Sequence, residues 1–123
     1  ISSQASFQPN PYLNLYAATK AFVTSYSRGL NCELQEKGIH VTAVCPGWVN
    51  TELLGHEWNG MTIRFPGIVE PEPVVKKALR DAARGKDISV YSTYVKSMQL
   101  FSKLMPHRFG MELWKKSIEK YES

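Results

Sequence analysis

Tyr16 and Lys20 stand four positions apart in "NLYAATKAF", residues 14 to 22, so a helix puts the phenol and the ammonium on one face. A tyrosine of ordinary pKa, near 10, is a poor acid or base at neutral pH. A neighbouring ammonium favours the phenolate and draws that value toward the operating range, which equips the phenol for proton transfer. The same spacing also arises where a half-buried tyrosine merely sits beside an exposed lysine, so the pair needs company. Ser3 lies thirteen residues before Tyr16, at what reads as a strand end, where its hydroxyl can face a crevice beyond the carboxyl ends of a parallel sheet. "CPGWVNT", residues 45 to 51, ends the next strand and faces the same crevice. Pro46 and Gly47 are expected to make a tight turn that lets backbone approach a flat ligand, and Thr51 adds a hydroxyl.

These groups need elements to position them. "ISSQASFQPNPY" reads as a strand end running into a loop, because one apolar residue gives way to Ser, Gln, Asn and two prolines. Leu15, Ala18, Phe22, Tyr26, Leu30 and Leu34 then recur near every fourth position, which predicts an amphipathic helix over 11–37 with Gly38 as its stop. "IHVTAVC", 39–45, is rich in β-branched residues and predicts a buried strand. A strand end, a helix and a strand make a βαβ crossover with parallel pairing. The 48–70 stretch, with Trp48, Gly55, Trp58, Gly60, Pro66 and Gly67, has little period and reads as an irregular loop of functional length with room for one short helix. From 71 to 123 the pattern turns helical. One helix opens near Glu70, Glu72 and Pro73 and ends at Arg84-Gly85, and "ISVYS" is a short strand. Val95, Met98, Phe101, Leu104 and Met105 mark a helix that Pro106 interrupts, and Met111, Leu113, Trp114 and Ile118 mark a last one.

The Ser-Ser element, "YAATK" and "PGWVNT", in that order and at these spacings, resemble the short-chain dehydrogenases/reductases. The likeness is firm to about Thr51 and loose beyond, where 48–70 corresponds to the family's variable substrate loop. It implies an α/β fold, the C-terminal part of a Rossmann-like doubly wound parallel sheet, with residues 1–123 forming the C-terminal half of one domain. It implies NAD or NADP as cofactor and a carbonyl or secondary alcohol as substrate, with the apolar loop mildly favouring a hydrophobic one. Tyr16 would be the general acid/base, and Lys20 would tune it and hold the nicotinamide ribose. Ser3 would orient the substrate oxygen, with Ser2 its rival. Pro46, Gly47 and Val49 would line the nicotinamide pocket, and the Val49 backbone and Thr51 hydroxyl would contact the carboxamide or a phosphate. Members of this family also carry a glycine-rich phosphate-binding turn and a tetrad asparagine, and neither is found in these 123 residues. The chain opens on Ile1, so residues are expected upstream, and the isolated 123 residues are expected to bind cofactor weakly and to be inactive. The competing reading is a non-catalytic module that acts through dimerisation of the 11–37 helix, which implies a homo-oligomer in either case.

Composition narrows the rest. The 43% hydrophobic, 11% aromatic and 21% charged residues are those of an ordinary folded domain. The net charge of +4 gathers late, at Lys96, Lys103, Arg108, Lys115, Lys116 and Lys120, interleaved with apolar residues at helical spacing. A solvated helix face explains it, and nucleic-acid binding has little beyond charge behind it. No membrane span or signal peptide is visible, so the expected location is cytoplasmic. Cys32 and Cys45 read as buried free thiols. His40, His56 and His107 are too dispersed for a metal site. Trp48, Trp58, Phe65 and the methionines read as core packing more than as pocket lining.

Overall fold

Asn10, Pro11, Tyr12 and Leu13 decide where the first helix can start. The Leu13 N–H donates to the Asn10 carbonyl at 3.0 Å, and Tyr12 takes a left-handed φ of 69°. Proline second and positive φ third is the pattern of a type II turn, and a tyrosine held there costs about 1 kcal/mol. Helix α1 therefore spans Asn14–Leu34 instead of opening at residue 11. A 3-10 turn, Gln35–Lys37, follows, and Gly38 closes it at φ 71°. The computed structural model describes residues 1–52, 54, 57–58, 61–62, 65 and 67–122, with the backbone alone at 57–58, 61–62 and 121–122. Gly55, His56, Gly60, Pro66 and the Trp58 side chain lie outside the described residues.

Strand β1, Ala43–Val44, pairs in parallel with β4, Ile88–Ser89, in the register Ala43 to Ile88 and Val44 to Ser89. On the other edge of β1 the Ser2 N–H donates to Val44 at 2.7 Å and the Gln4 N–H to Pro46 at 3.0 Å. This two-residue step is a parallel ladder, so the first residues run beside β1 as the strand end they resemble. The regular strand is shorter than 39–45 because its first half is bound elsewhere. The Val41 N–H donates to Asn31 Oδ1 on α1 at 2.9 Å, and the Thr42 hydroxyl to the Lys86 carbonyl at 2.6 Å.

Within the 48–70 stretch the described residues form strand pairings in place of the expected short helix: β2 (Glu57–Trp58) and β3 (Met61–Thr62) pair antiparallel, and Val49 bridges Val69 in parallel. Helix α2, Pro71–Ala83, starts with Pro71 in its first turn and ends at Arg84, with Gly85 at φ 74°. Helix α3, Thr93–Leu104, is capped by the Ser92 hydroxyl, and α4, His107–Glu122, follows the break at Pro106. The late cations of α3 and α4 are exposed, as a solvated face requires.

The core is small: Ala43, Cys45, Val90 and Val95, with Phe7 and Ile88 packed against it. The period of α1 is helical, as its sequence predicts, but the face is not the expected one. Its buried residues are Ala17, Thr24 and Asn31, whereas Leu15 is 83% exposed, Phe22 67% and Tyr26 59%. Hydrogen bonding selects the small and polar stripe. Thr24 Oγ1 meets Ser2 Oγ at 2.6 Å and Ser6 Oγ at 3.0 Å, contacts that a leucine at that position would abolish. Cys45 is fully buried, but Cys32, one position past Asn31 on α1, is exposed, contrary to the expectation for it.

Candidate active site

Ser3 ends the first extended segment and caps a 3-10 turn, Gln4–Phe7, by accepting from the Ala5 N–H at 3.1 Å. Asn10, itself buried, ties the far side of this turn by donating Nδ2 to the Ala5 carbonyl at 3.2 Å. The segment from Ser3 to Leu13 thus wraps a cavity of about 400 Å³ that reaches Tyr16 on the first turn of α1. Gly47, Trp48, Val49, Thr51 and Leu54, from the stretch after β1, form its second wall. Met98 of α3 and Trp114 of α4 form the third. The Trp114 indole N–H donates to the Pro11 carbonyl at 2.8 Å, and the Tyr12 hydroxyl to Glu119 at 3.1 Å, so α4 is bonded to the loop that borders the cavity.

Five of the seven residues singled out from sequence, Ser3, Tyr16, Gly47, Val49 and Thr51, line this one cavity. Ser2 does not share it. Its hydroxyl donates to the Lys20 carbonyl at 2.9 Å and meets Thr24 at 2.6 Å, which makes it a clamp between the first segment and α1. Lys20 lies over the ring of Tyr16, 5.7 Å from its centroid, and its Nζ donates to the Ile1 carbonyl at 3.2 Å. Pro46 stands behind the wall, its carbonyl taken by the Gln4 N–H.

Gly47 has a different reason from the one its turn-forming character suggests. Its φ is not in the left-handed region. A Cβ there would meet Val95 Cγ2 at 2.7 Å and Gln4 Oε1 at 3.3 Å, so the missing side chain leaves room for α3 and the Gln4 amide to close on the strand end. Two residues later the backbone is presented differently. The Val69 N–H donates to Trp48 at 3.0 Å and the Asn50 N–H to Val69 at 2.8 Å, so the flanking peptides make the bridge. The N–H and C=O of Val49 itself then point away from Val69, the donor and acceptor pair that a planar carboxamide matches. The nicotinamide end of a dinucleotide fits here on that ground. The three positive-φ glycines among the described residues, Gly38, Gly67 and Gly85, lie after α1, beside Tyr94 and after α2, and none opens a helix as a phosphate-binding turn does.

Sequence reasoning missed Gln4, Phe7, Leu13, Leu54 and Trp114 as cavity residues, and for Trp48 and Met98 it favoured core packing over the pocket lining they supply. Met98 and Trp114 fall on the inward stripes of their helices, where residue type does not separate a core contact from a pocket wall. Among the described residues no three His, Cys, Asp or Glu side chains are placed to hold a metal ion. Among the same residues no helix is long and apolar enough to cross a membrane.

The chain is 51% identical over 53 residues to the very-long-chain 3-oxoacyl-CoA reductase of Anas platyrhynchos, a match covering 43% of this chain and 17% of that protein. It is 52% identical over 52 residues to the uncharacterized oxidoreductase YghA of Escherichia coli, covering 42% and 18%. To the 17-beta-hydroxysteroid dehydrogenase type 3 of Mus musculus it is 39% identical over 62 residues, covering 50% and 20%. The matched part spans about a fifth of the length of these relatives. The model of the short chain dehydrogenase family matches residues 1–62, half of the chain and the half that holds Ser3, Tyr16, Lys20 and "PGWVNT". The chain therefore belongs to the short-chain dehydrogenase family.

Proposed function

We propose that the natural protein is an NAD(P)-dependent oxidoreductase that reduces a hydrophobic ketone or oxidises the matching secondary alcohol. The observation that carries this is the convergence of Ser3 and Tyr16, from separate elements, on one cavity that Val49 and Thr51 also line. Reduced cofactor would supply a hydride to the carbonyl carbon. Tyr16 donates its hydroxyl proton to the carbonyl oxygen and recovers it from the alcohol in the reverse direction. The Ser3 hydroxyl, whose oxygen already accepts from Ala5, keeps its own proton for the same carbonyl oxygen. Lys20 holds the Tyr16 ring from outside the cavity, and its ammonium would hold the ribose of the cofactor. The Val49 backbone and the Thr51 hydroxyl would receive the carboxamide of the cofactor. Phe7, Leu13, Trp48, Leu54, Met98 and Trp114 supply an apolar surface suited to a long acyl chain or a steroid, in keeping with what two of the relatives are named for.

The finer fold belongs to the same reading. The parallel order of residues 1–4, β1 and β4, with α1 crossing over, supports the C-terminal part of a doubly wound Rossmann-like sheet. In this reading Val49 and Thr51 would receive the nicotinamide end of the cofactor alone, so the 123 residues by themselves are expected to bind it weakly and to show no turnover. The test is oxidation of NADH and NADPH by the natural full-length protein with long-chain 3-oxoacyl thioesters and ketosteroids. Ketone-dependent turnover that Tyr16→Phe abolishes is expected, and its absence with every such ketone overturns the reading.

A second reading, association through α1, has its own observation. Leu15, Phe22 and Tyr26 form an exposed apolar stripe, with the Phe22 and Tyr26 rings stacked 5.7 Å apart. The stripe suits the same helix of a second copy, because a twofold axis would set each ring pair against its equal. Phe22→Glu is expected to halve the mass seen in sedimentation equilibrium.

A further inference from the structure

Trp114 differs from the aliphatic walls of the cavity in being bonded where it stands. Its indole is half-buried, and the ring N–H donates to the Pro11 carbonyl at 2.8 Å. The acceptor is itself fixed. Pro11 lies inside the turn that the Leu13 N–H closes on the Asn10 carbonyl at 3.0 Å, and the buried Asn10 side chain donates to Ala5 at 3.2 Å. Further along α4, Glu119 accepts from the Tyr12 hydroxyl at 3.1 Å, so the helix that carries the indole is held to the same turn. Swinging the indole aside would break its bond and leave a donor and an acceptor without partners. Leu13 and Leu54 have no polar atom to release, and a methionine such as Met98 adapts its shape to what lies beside it.

A fixed wall matters because the space is small. The cavity of about 400 Å³ lies near the lower end of the range that holds a drug-sized ligand. In the carbonyl-oxidoreductase reading it must take the nicotinamide end of the cofactor, at Val49 and Thr51, as well as the ketone beside Ser3 and Tyr16. An acyl chain has a rotatable bond at every methylene and can bend round a fixed indole. A fused-ring skeleton has none and meets the indole as a rigid body. Resting on that reading of the site, we propose that Trp114 is a specificity-determining residue: pinned by Pro11, its indole admits the flexible chain of a linear ketone and turns away the fused rings of a ketosteroid. Of the two shapes that the apolar walls suit, the site would take the first.

Two ketones test this in the natural full-length protein with NADH and NADPH: the N-acetylcysteamine thioester of 3-oxodecanoic acid, and androstan-3-one. The unaltered protein is expected to give the higher kcat/KM with the linear ketone. Trp114→Leu puts a smaller, unbonded side chain in the wall and is expected to raise the ratio of kcat/KM for androstan-3-one over the thioester by at least about tenfold. A merely structural loss at α4 would lower both values together and leave that ratio where it was. Trp114→Phe keeps a ring and removes the bond to Pro11. It carries the comparison where the leucine variant fails to fold, and the ratio is expected to rise in it as well. A ratio that neither substitution raises overturns the role of Trp114 and leaves the oxidoreductase reading intact. So does an unaltered protein that takes androstan-3-one as well as it takes the thioester. Turnover of neither ketone also overturns the role, and with no turnover of any other ketone the oxidoreductase reading falls too.

Discussion

The ammonium of Lys20 lies 5.7 Å from the centre of the Tyr16 ring and donates to the Ile1 carbonyl at 3.2 Å, so one cation ties α1, the candidate acid and the first extended segment together. The two functions of the pair are separable by mutation. Tyr16→Phe keeps the ring under the ammonium and removes only the hydroxyl that carries the proton, so it is expected to lower kcat by about 10² to 10⁴ while shifting stability by less than about 0.5 kcal/mol. Lys20→Met loses the tether as well as the charge, and is expected to lower both kcat and the melting temperature. A Tyr16→Phe protein that keeps its turnover would remove Tyr16 from the chemistry.

The two adjacent serines should divide in the opposite sense. Ser3 opens on the cavity, whereas Ser2 Oγ is bound to the Lys20 carbonyl and to Thr24. Ser2→Ala strands the buried Thr24 with fewer partners and is expected to lose about 1–2 kcal/mol in urea unfolding, with KM unchanged. Ser3→Ala is expected to lower kcat about 10²-fold and to cost at most about 1 kcal/mol, because only one turn cap is lost. Equal effects of the two on turnover would contradict this division.

Much of this arrangement is legible in the sequence. The period of α1, the stop at Gly38, the break at Pro106 and the order strand, helix, strand follow from local chemistry that neighbouring residues carry in themselves. Which face of α1 turns inward does not, because Thr24 and Asn31 are chosen by partners distant in sequence: Ser2, Ser6 and Val41. Tyr12 hid the helix start for the same reason. Nothing about a tyrosine announces a positive φ, which is held here by Pro11 and by the bond to Glu119. Of the site, the hydroxyls and the strand end were visible through motif spacing, while Gln4, Met98 and Trp114 enter the cavity only through tertiary packing.

Gly47 gives a packing test. Alanine there would place its Cβ 2.7 Å from Val95 Cγ2, inside the core, with the nearest wall a stiff β-branched side chain. Gly47→Ala is expected to destabilise by about 1–3 kcal/mol through overpacking. Combining it with Val95→Ala removes the opposing methyl groups, so the double variant should be more stable than the sum of the two single losses, measured as a non-additive cycle in urea. Strict additivity would mean that Val95 is not what excludes a side chain at residue 47.

Asp81 supplies a pH test. Its carboxyl is 2% exposed, and burial alone would raise its pKa. Hydrogen bonds from Lys77 at 2.7 Å and Ser89 at 2.8 Å, with Lys86 at 3.6 Å, outweigh that and hold it below the ordinary aspartate range. The folded carboxyl therefore binds its proton less tightly than the unfolded one, which titrates near 3.9. Its contribution to stability is complete above that value and drains away as pH falls through the lower folded-state value. Because the group pins α2 to β4, the loss should appear as acid unfolding of the whole parallel sheet. Asp81→Asn keeps the contact with Ser89 but gives up both cations, so it is expected to cost about 1–3 kcal/mol at neutral pH. Lys77 and Lys86 retain 23% and 52% of their side-chain exposure and can turn to water, which keeps the loss below that of stranding a buried charge. In the variant this group's share of the acid-side decline in stability should vanish. A decline of unchanged steepness in urea midpoints taken from pH 5 downward would assign the acid sensitivity to other carboxylates.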